Sequence, residues 1–160
     1  MVKNIDGNII TLGKEGKFDV IVHGCNCFCR MGSGLAPQMA EAFGCDTFPM
    51  EHSKYKGDIN KLGCIDYKLI EIRPYTYLKV VNAYTQYRYG KNHHDGVSKP
   101  VDYDAIRLCM RKMNHEFKGQ RIGLPKIGAG LAGGDWSKIL GIIEEEMVDC
   151  RVTIINYKKD

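Results

Sequence analysis

Apolar residues fall in short runs separated by polar, glycine-marked stretches, and the spacing inside each run predicts what it forms. The continuous run Val20-Ile21-Val22, with Lys17 and Asp19 before it and Gly24 after it, predicts a buried strand. That strand delivers His23, Cys25 and Asn26 to its carboxyl end. Residues 34–43 place Leu35, Met39 and Ala42/Phe43 on one face and stop at Gly44, the pattern of a short helix with a glycine terminator. Two strand-like runs, 67–72 and 77–83, are parted by a turn at Arg73-Pro74 and are expected to be antiparallel neighbours. Residues 100–117 space Val101, Ile106, Met110, Met113 and Phe117 as on a helix, which Lys118-Gly119 closes. A short strand at 122–124, a helix capped by Asp135 with Trp136, Ile139/Leu140, Ile143 and Met147 on its inner face, and a strand at 152–157 complete the series. Between these elements, residues 44–66 show no clear period and predict mostly surface connection with a short helical turn, with Pro49, Gly57 and Gly63 as punctuation. Residues 86–99 are polar and predict a loop long enough to reach over a site.

Strands alternating with helices imply an α/β fold in three layers, α/β/α, whose parallel or mixed central sheet is covered on both faces. The loops at the strand ends then gather along one sheet edge, where such folds bind ligands. At 160 residues with 44% hydrophobic content, one domain over 1–160 accounts for the chain. The formal charge of +4 is mild and its basic residues are interspersed with acidic ones, which suits a small anionic ligand better than a nucleic-acid track. Seven cysteines without disulfide-scaffold spacing, and a start at Met1-Val2-Lys3-Asn4 with no signal or transit character, point to a reducing cytoplasm. No apolar run approaches the ~20 residues that span a bilayer, so no membrane partner is expected.

Two glycine-rich loops change this picture most. Met31-Gly32-Ser33-Gly34-Leu35-Ala36 and Ile127-Gly128-Ala129-Gly130-Leu131-Ala132-Gly133-Gly134 each follow an apolar run and precede a helical pattern. Each should bring bare backbone N–H groups to a helix N-terminus, the arrangement that binds phosphate. Two of them suggest a ligand with two linked phosphates gripped from both sides.

Other constellations carry less. Cys25, Cys27 and Cys29 alternate, unlike the wider gaps and distant second pair of a zinc site, and read as reduced cysteines; no metal or cofactor is expected. Tyr84, Tyr87 and Tyr89, with Arg88 among them, read either as a ligand wall in which Arg88 meets a phosphate or as the aromatic end of an edge strand. His93-His94-Asp95 reads as solvated loop, and Glu144-Glu145-Glu146 as a solvated helix face.

In sequence order, Val20-Ile-Val-His-Gly-Cys-Asn26, Arg30-Met-Gly-Ser-Gly-Leu-Ala36 and Leu124-Pro-Lys-Ile-Gly-Ala-Gly-Leu-Ala-Gly-Gly-Asp-Trp136 resemble the macrodomain family. Gly7-Asn8-Ile9 stands in the place of its short first-strand motif. The similarity spans nearly the whole chain and looks closest to the phage and cellular group described as ADP-ribose 1''-phosphate phosphatases. The Cys-Arg-Met-Gly-Ser-Gly run also resembles the neighbouring terminal ADP-ribose glycohydrolases.

The resemblance implies ADP-ribose, or a derivative, lying in a cleft across the sheet edge, in a cytoplasm that is the host's if the chain is viral. It places Asn26 on the distal ribose, Gly32, Ser33, Gly34 and Leu35 around that ribose and one phosphate, and Ile127, Gly128, Ala129, Gly130, Leu131 and Ala132 on the other side. Cys25 would border the same cleft. Asn8 and Ile9 would face adenine, Asn8 standing where many members have an Asp. For catalysis, His23 is the expected proton carrier and Asp135 a candidate to orient water; their structural readings are a strand-end histidine and a helix N-cap. The glycohydrolase subgroup uses a Lys at the end of the fourth strand and an Asp after the second loop's Gly-Leu, where this chain has Tyr84 and Ala132. Phosphate-ester hydrolysis therefore ranks above removal of ADP-ribose from macromolecules, with a non-catalytic ADP-ribose binder as the alternative of a different class.

Overall fold

The computed structural model describes residues 2–32, 34–48, 50, 56–89, 100–130 and 132–160. Within them run β1 (Lys3–Gly7), α1 (Ile9–Lys14), β2 (Val20–Asn26), α2 (Ala36–Phe43), β3 (Ile65–Arg73), β4 (Thr76–Gln86), α3 (Tyr103–Glu116), β5 (Arg121–Leu124), α4 (Trp136–Glu146) and β6 (Arg151–Tyr157). The strands form one mixed sheet in the order β1-β6-β5-β2-β4-β3. Neighbours are parallel except β3 and β4, an antiparallel pair whose turn falls at Pro74 and Tyr75, one residue later than expected, with Tyr75 at a φ of 62°.

The strand period of two sorts the apolar side chains onto two faces. Val20 and Val22 of β2, with Val81 and Ala83 of β4, pack against Ile106 and Met110 of α3 and Ile139 and Ile143 of α4. Ile21, Leu78 and Val80 point the other way, onto Ile9 of α1 and Met39 and Phe43 of α2. The result is the three-layer α/β/α arrangement, with β2 buried at its centre. No helix among the described residues is long and apolar enough to cross a membrane.

Helix ends follow local chemistry. α2 stops at Gly44, which takes the left-handed φ of 64° that glycine adopts without a Cβ penalty. α1 is opened by Asn8, whose Oδ1 accepts from the Ile10 amide at 3.0 Å. α3 starts later than its apolar spacing suggests, because Asp102 accepts from the Ala105 amide at 2.9 Å while Val101 bridges to Gln86. Asp102→Ala should therefore cost about 1 kcal/mol in urea unfolding with little change in ligand binding. An unchanged midpoint would remove the cap from the account of this helix.

The acidic run late in α4 is more than a solvated face. Glu145 and Glu146 pair with Arg107 of α3 at 2.7 and 3.1 Å, and Glu146 also meets Arg111 at 3.0 Å. These partly exposed pairs clamp α3 to α4 and contribute modestly to stability.

Candidate functional site

The parallel strands β2, β4 and β5 end together, and the loops that leave β2 and β5 stand apart to form a cleft of about 470 Å³. One wall is the loop from Asn26 into α2. Leu35, the N-cap of α2, makes no side-chain cap hydrogen bond, so the first-turn amides are left for a ligand. Pro37 in that turn lacks an N–H that would have been orphaned anyway. The opposite wall runs from Pro125 to Ala132. Gly128 holds a φ of 78°, and the Gly134 amide closes the loop onto the Gly128 carbonyl at 2.8 Å. The amides of Gly32, Gly34, Gly128 and Gly130 meet no acceptor among the described residues. Ser33 and Leu131, and the sequence His93-His94-Asp95, lie outside the described residues.

The floor is shaped by a register slip. Cys25 pairs with Tyr84 but Asn26 pairs with Gln86, so Thr85 is skipped and the two strands leave the ladder out of step. Thr85 and Gln86 border the cleft, whereas Tyr84 is fully buried and donates its hydroxyl to Asp66 at 3.2 Å. Asn26 is itself a loop organiser. Its Oδ1 accepts from the amides of Phe28 at 3.1 Å and Arg30 at 3.2 Å, and its Nδ2 donates to the Arg30 carbonyl at 2.9 Å. One of the two amide hydrogens of Asn26 is left for a ligand.

His23 sits at the cleft floor but is only 1% exposed. The Asn82 amide donates to the Cys45 carbonyl at 3.0 Å, which turns Asn82 Oδ1 toward His23 Nε2 at 2.5 Å. An oxygen acceptor there requires Nε2 to carry the proton, so Nδ1, which has no partner, keeps its lone pair. Burial holds the imidazole at about 4 instead of 6.5, against a smaller opposing effect of the Asn82 bond. His23 is thus a neutral base near pH 7.

The structure brings Cys25, Asn26, Gly32, Gly34, Leu35, Ile127, Gly128, Gly130 and Ala132 around one cavity, with His23 beneath. Other candidates stand elsewhere. Asn8 caps α1, and Ile9 is buried under the sheet. Asp135 caps α4, accepting from the Ser137 amide at 3.0 Å, and Ala129 packs toward the α3/α4 core. Tyr87 donates to the Gly57 carbonyl at 2.7 Å instead of lining the cleft. Arg88 is held over the rings of Phe28 and Tyr89, each centroid 5.4 Å from its guanidinium carbon.

Sequence reasoning missed Thr85, Arg30 and Lys126 as cleft residues, and weighed Gln86 and Tyr89 only within the tyrosine run. Arg30 and Lys126 are the charged members of the described lining, which contains no carboxylate. The signal that finds them is proximity to the two glycine loops: each cation lies within two residues of a loop glycine. Of the alternating cysteines, Cys27 has its thiol pushed up to about 12 by burial. Among the described residues no disulfide joins the cysteines, and no group of three or more His, Cys, Asp or Glu could hold a metal ion.

The parallel strands of this three-layer α/β/α fold end under two glycine-rich loops, at the sheet edge where open α/β folds take ligands. No family model matches the chain. It is 35% identical over 167 residues to an uncharacterized 17.5 kDa protein of Enterobacteria phage T4, covering 99% of this chain and 97% of that one. It is 27% identical over 159 residues to the ADP-ribose glycohydrolase OARD1 of Bos taurus, covering 93% and 92% respectively. Its fold matches the macrodomain of Mycobacterium tuberculosis DarG with a TM-score of 0.67 at 16% identity, over 100% of this chain and 99% of that one. Thermosipho africanus DarTG in complex with ADP-ribose matches with a TM-score of 0.69 at 16% identity, over 99% of this chain and 43% of that one. The chain has the macrodomain fold.

Proposed function

We propose that this macrodomain binds ADP-ribose derivatives in the cleft and hydrolyses the terminal phosphate of ADP-ribose 1''-phosphate. The binding half is supported by the uncommitted amides facing each other across the cleft, by an ADP-ribose complex of a protein of the same fold, and by a relative named for ADP-ribose hydrolysis. The diphosphate lies between the two loops, where N–H dipoles replace its hydration, and the distal ribose lies at the Asn26 end.

The observation that carries the choice of reaction is the charge of the lining: Arg30 and Lys126, with no carboxylate among the described residues. Glycoside cleavage usually relies on paired carboxylates that serve as acid and as nucleophile or base. Phosphoryl transfer runs through a loose transition state and needs positioning and positive charge. The positions where the related glycohydrolase subgroup has Lys and Asp hold a buried Tyr84 and Ala132. His23, neutral with its lone pair on Nδ1, accepts a proton from the attacking water. Held so far below its usual range it is a weak base, so positioned cations and amides supply most of the rate.

Phosphate release from ADP-ribose 1''-phosphate, measured in chelator with ADP-ribose as competitor, tests this reading. His23→Ala should slow turnover about a hundredfold with binding nearly intact. Asn26→Ala should weaken binding about tenfold by unfastening the loop that holds Arg30. Equal loss of both properties in both variants would sink this division of labour. ADP-ribose binding without phosphate release would leave either a binder or a hydrolase of another ADP-ribose linkage.

A further inference from the structure

Two guanidinium groups meet on one aromatic ring at the cleft: Arg30 lines the cavity, and Arg88 stacks beside it on the lining residue Tyr89. The guanidinium carbon of Arg30 lies 4.8 Å from the centroid of Tyr89, and that of Arg88 lies 5.4 Å from the same ring. Phe28 completes the support, meeting Tyr89 edge-on at 5.8 Å and carrying Arg88 on its own ring at 5.4 Å. Among the described residues neither guanidinium makes a hydrogen bond or an ion pair. Stacking on aromatic rings restrains such a group while leaving its N–H fork open.

The backbone beneath is fixed as well. Asn26 bonds both the amide and the carbonyl of Arg30, and Gln86 donates to the Arg88 carbonyl at 2.7 Å. Asn26 and Gln86 are register partners at the ends of adjacent parallel strands. Each strand therefore ends in a side-chain amide that positions an arginine further along the chain. Two cations gathered on one aromatic ring, beside a lining with no described carboxylate, favour an anion there.

We propose that Arg30 and Arg88, presented on Tyr89 and Phe28, form a clamp for a terminal phosphate that extends past the distal ribose. This rests on the placement of ADP-ribose given above and deepens it: the clamp is what makes the cleft prefer a phosphorylated ligand to ADP-ribose itself. Charge-assisted bonds from a planar fork to phosphate oxygens supply the preference. The same contacts strengthen as charge spreads over those oxygens during transfer.

The test compares equilibrium binding of ADP-ribose 1''-phosphate and ADP-ribose in the His23→Ala background, where the phosphorylated ligand survives the titration. Arg30→Gln and Arg88→Gln, made singly and together, keep a side chain of similar reach without the charge. The expected result is tighter binding of the phosphorylated ligand, with the ratio of the two affinities falling on the order of tenfold in each single variant and approaching one in the double variant. Arg→Lys at either position should restore only part of the ratio, since an ammonium lacks the fork. Inorganic phosphate titrated into the ADP-ribose-saturated protein should bind, and should cease to bind in the double variant.

An unchanged ratio in the double variant overturns the clamp, even if the wild type releases phosphate. Preference lost in the arginine variants upholds the clamp even if the wild type shows no turnover, so the two ideas fail separately. A proportional loss of affinity for both ligands would assign the arginines to the diphosphate and overturn the proposal. So would salt-sensitive binding of a single-stranded oligonucleotide that the double variant abolishes while the ligand ratio stays fixed.

Discussion

Alanine at Gly134 is expected to cost the protein about 3 kcal/mol in urea unfolding and to abolish calorimetric ADP-ribose binding. A Cβ at this position would lie 2.6 Å from the Gly128 carbonyl oxygen and 2.7 Å from Ile139 Cδ1. The first clash is with backbone, which cannot rotate away, and it falls on the carbonyl that accepts the Gly134 amide and closes the second loop. Relief requires the loop to open, which misplaces the amides of Gly128 and Gly130. Gly130→Ala is the informative partner. A Cβ there meets nothing within 4 Å, so stability should be unchanged. Binding should nevertheless fall sharply, because a methyl group would occupy space that the diphosphate needs. Normal stability with normal binding in Gly130→Ala would show that the ligand does not approach this backbone.

Acidification is the second large effect. His23 is held at about 4 in the folded protein and returns to 6.5 on unfolding. Above 6.5 both states are neutral there, and the group gives no slope. Between 6.5 and about 4 the unfolded chain binds the proton and the folded chain does not, so stability falls with falling pH, by about 3 kcal/mol across the window. Asp66 acts in the opposite sense, because burial raises its carboxyl above the usual range and the folded state keeps its proton longer. The wild-type curve alone therefore mixes the two. Urea midpoints of wild type and His23→Gln at pH 7.5 and 4.5 separate them: the variant should lose much less stability between the two values. Parallel curves would mean that the imidazole is not buried neutral.

The elements that the sequence revealed are those with a buried face long enough to show a period. Val20-Ile21-Val22, the hairpin runs 67–72 and 77–83, and the apolar stripe of residues 100–117 each repeat against a core that the structure contains. β1 and α1 had no such signal. Lys3–Gly7 is almost wholly exposed and owes its strand to β6, while α1, at 6 residues, is too short for a helical period. Its one local mark was Asn8, which the resemblance had assigned to adenine.

The glycine loops were legible because phosphate chemistry dictates their composition. The polar floor was not. Whether Tyr84 or Thr85 faces the ligand depends on which residue the β2–β4 ladder skips, and that is decided by pairing between distant segments. Arg30 and Lys126 were passed over for a related reason: a lone cation in a loop becomes part of a site only when the fold sets it opposite another wall.

The slip after Cys25 also separates two kinds of selection. Upstream of it, Val80, Val81 and Ala83 stay in step with β2, and exchange at any of them disturbs a packed layer. Downstream, Thr85 and Gln86 answer to the cavity and the loops instead of to either core. The cleft can therefore change what it recognises through substitutions that leave folding almost untouched, so that ligand choice and fold are free to diverge independently within one short chain.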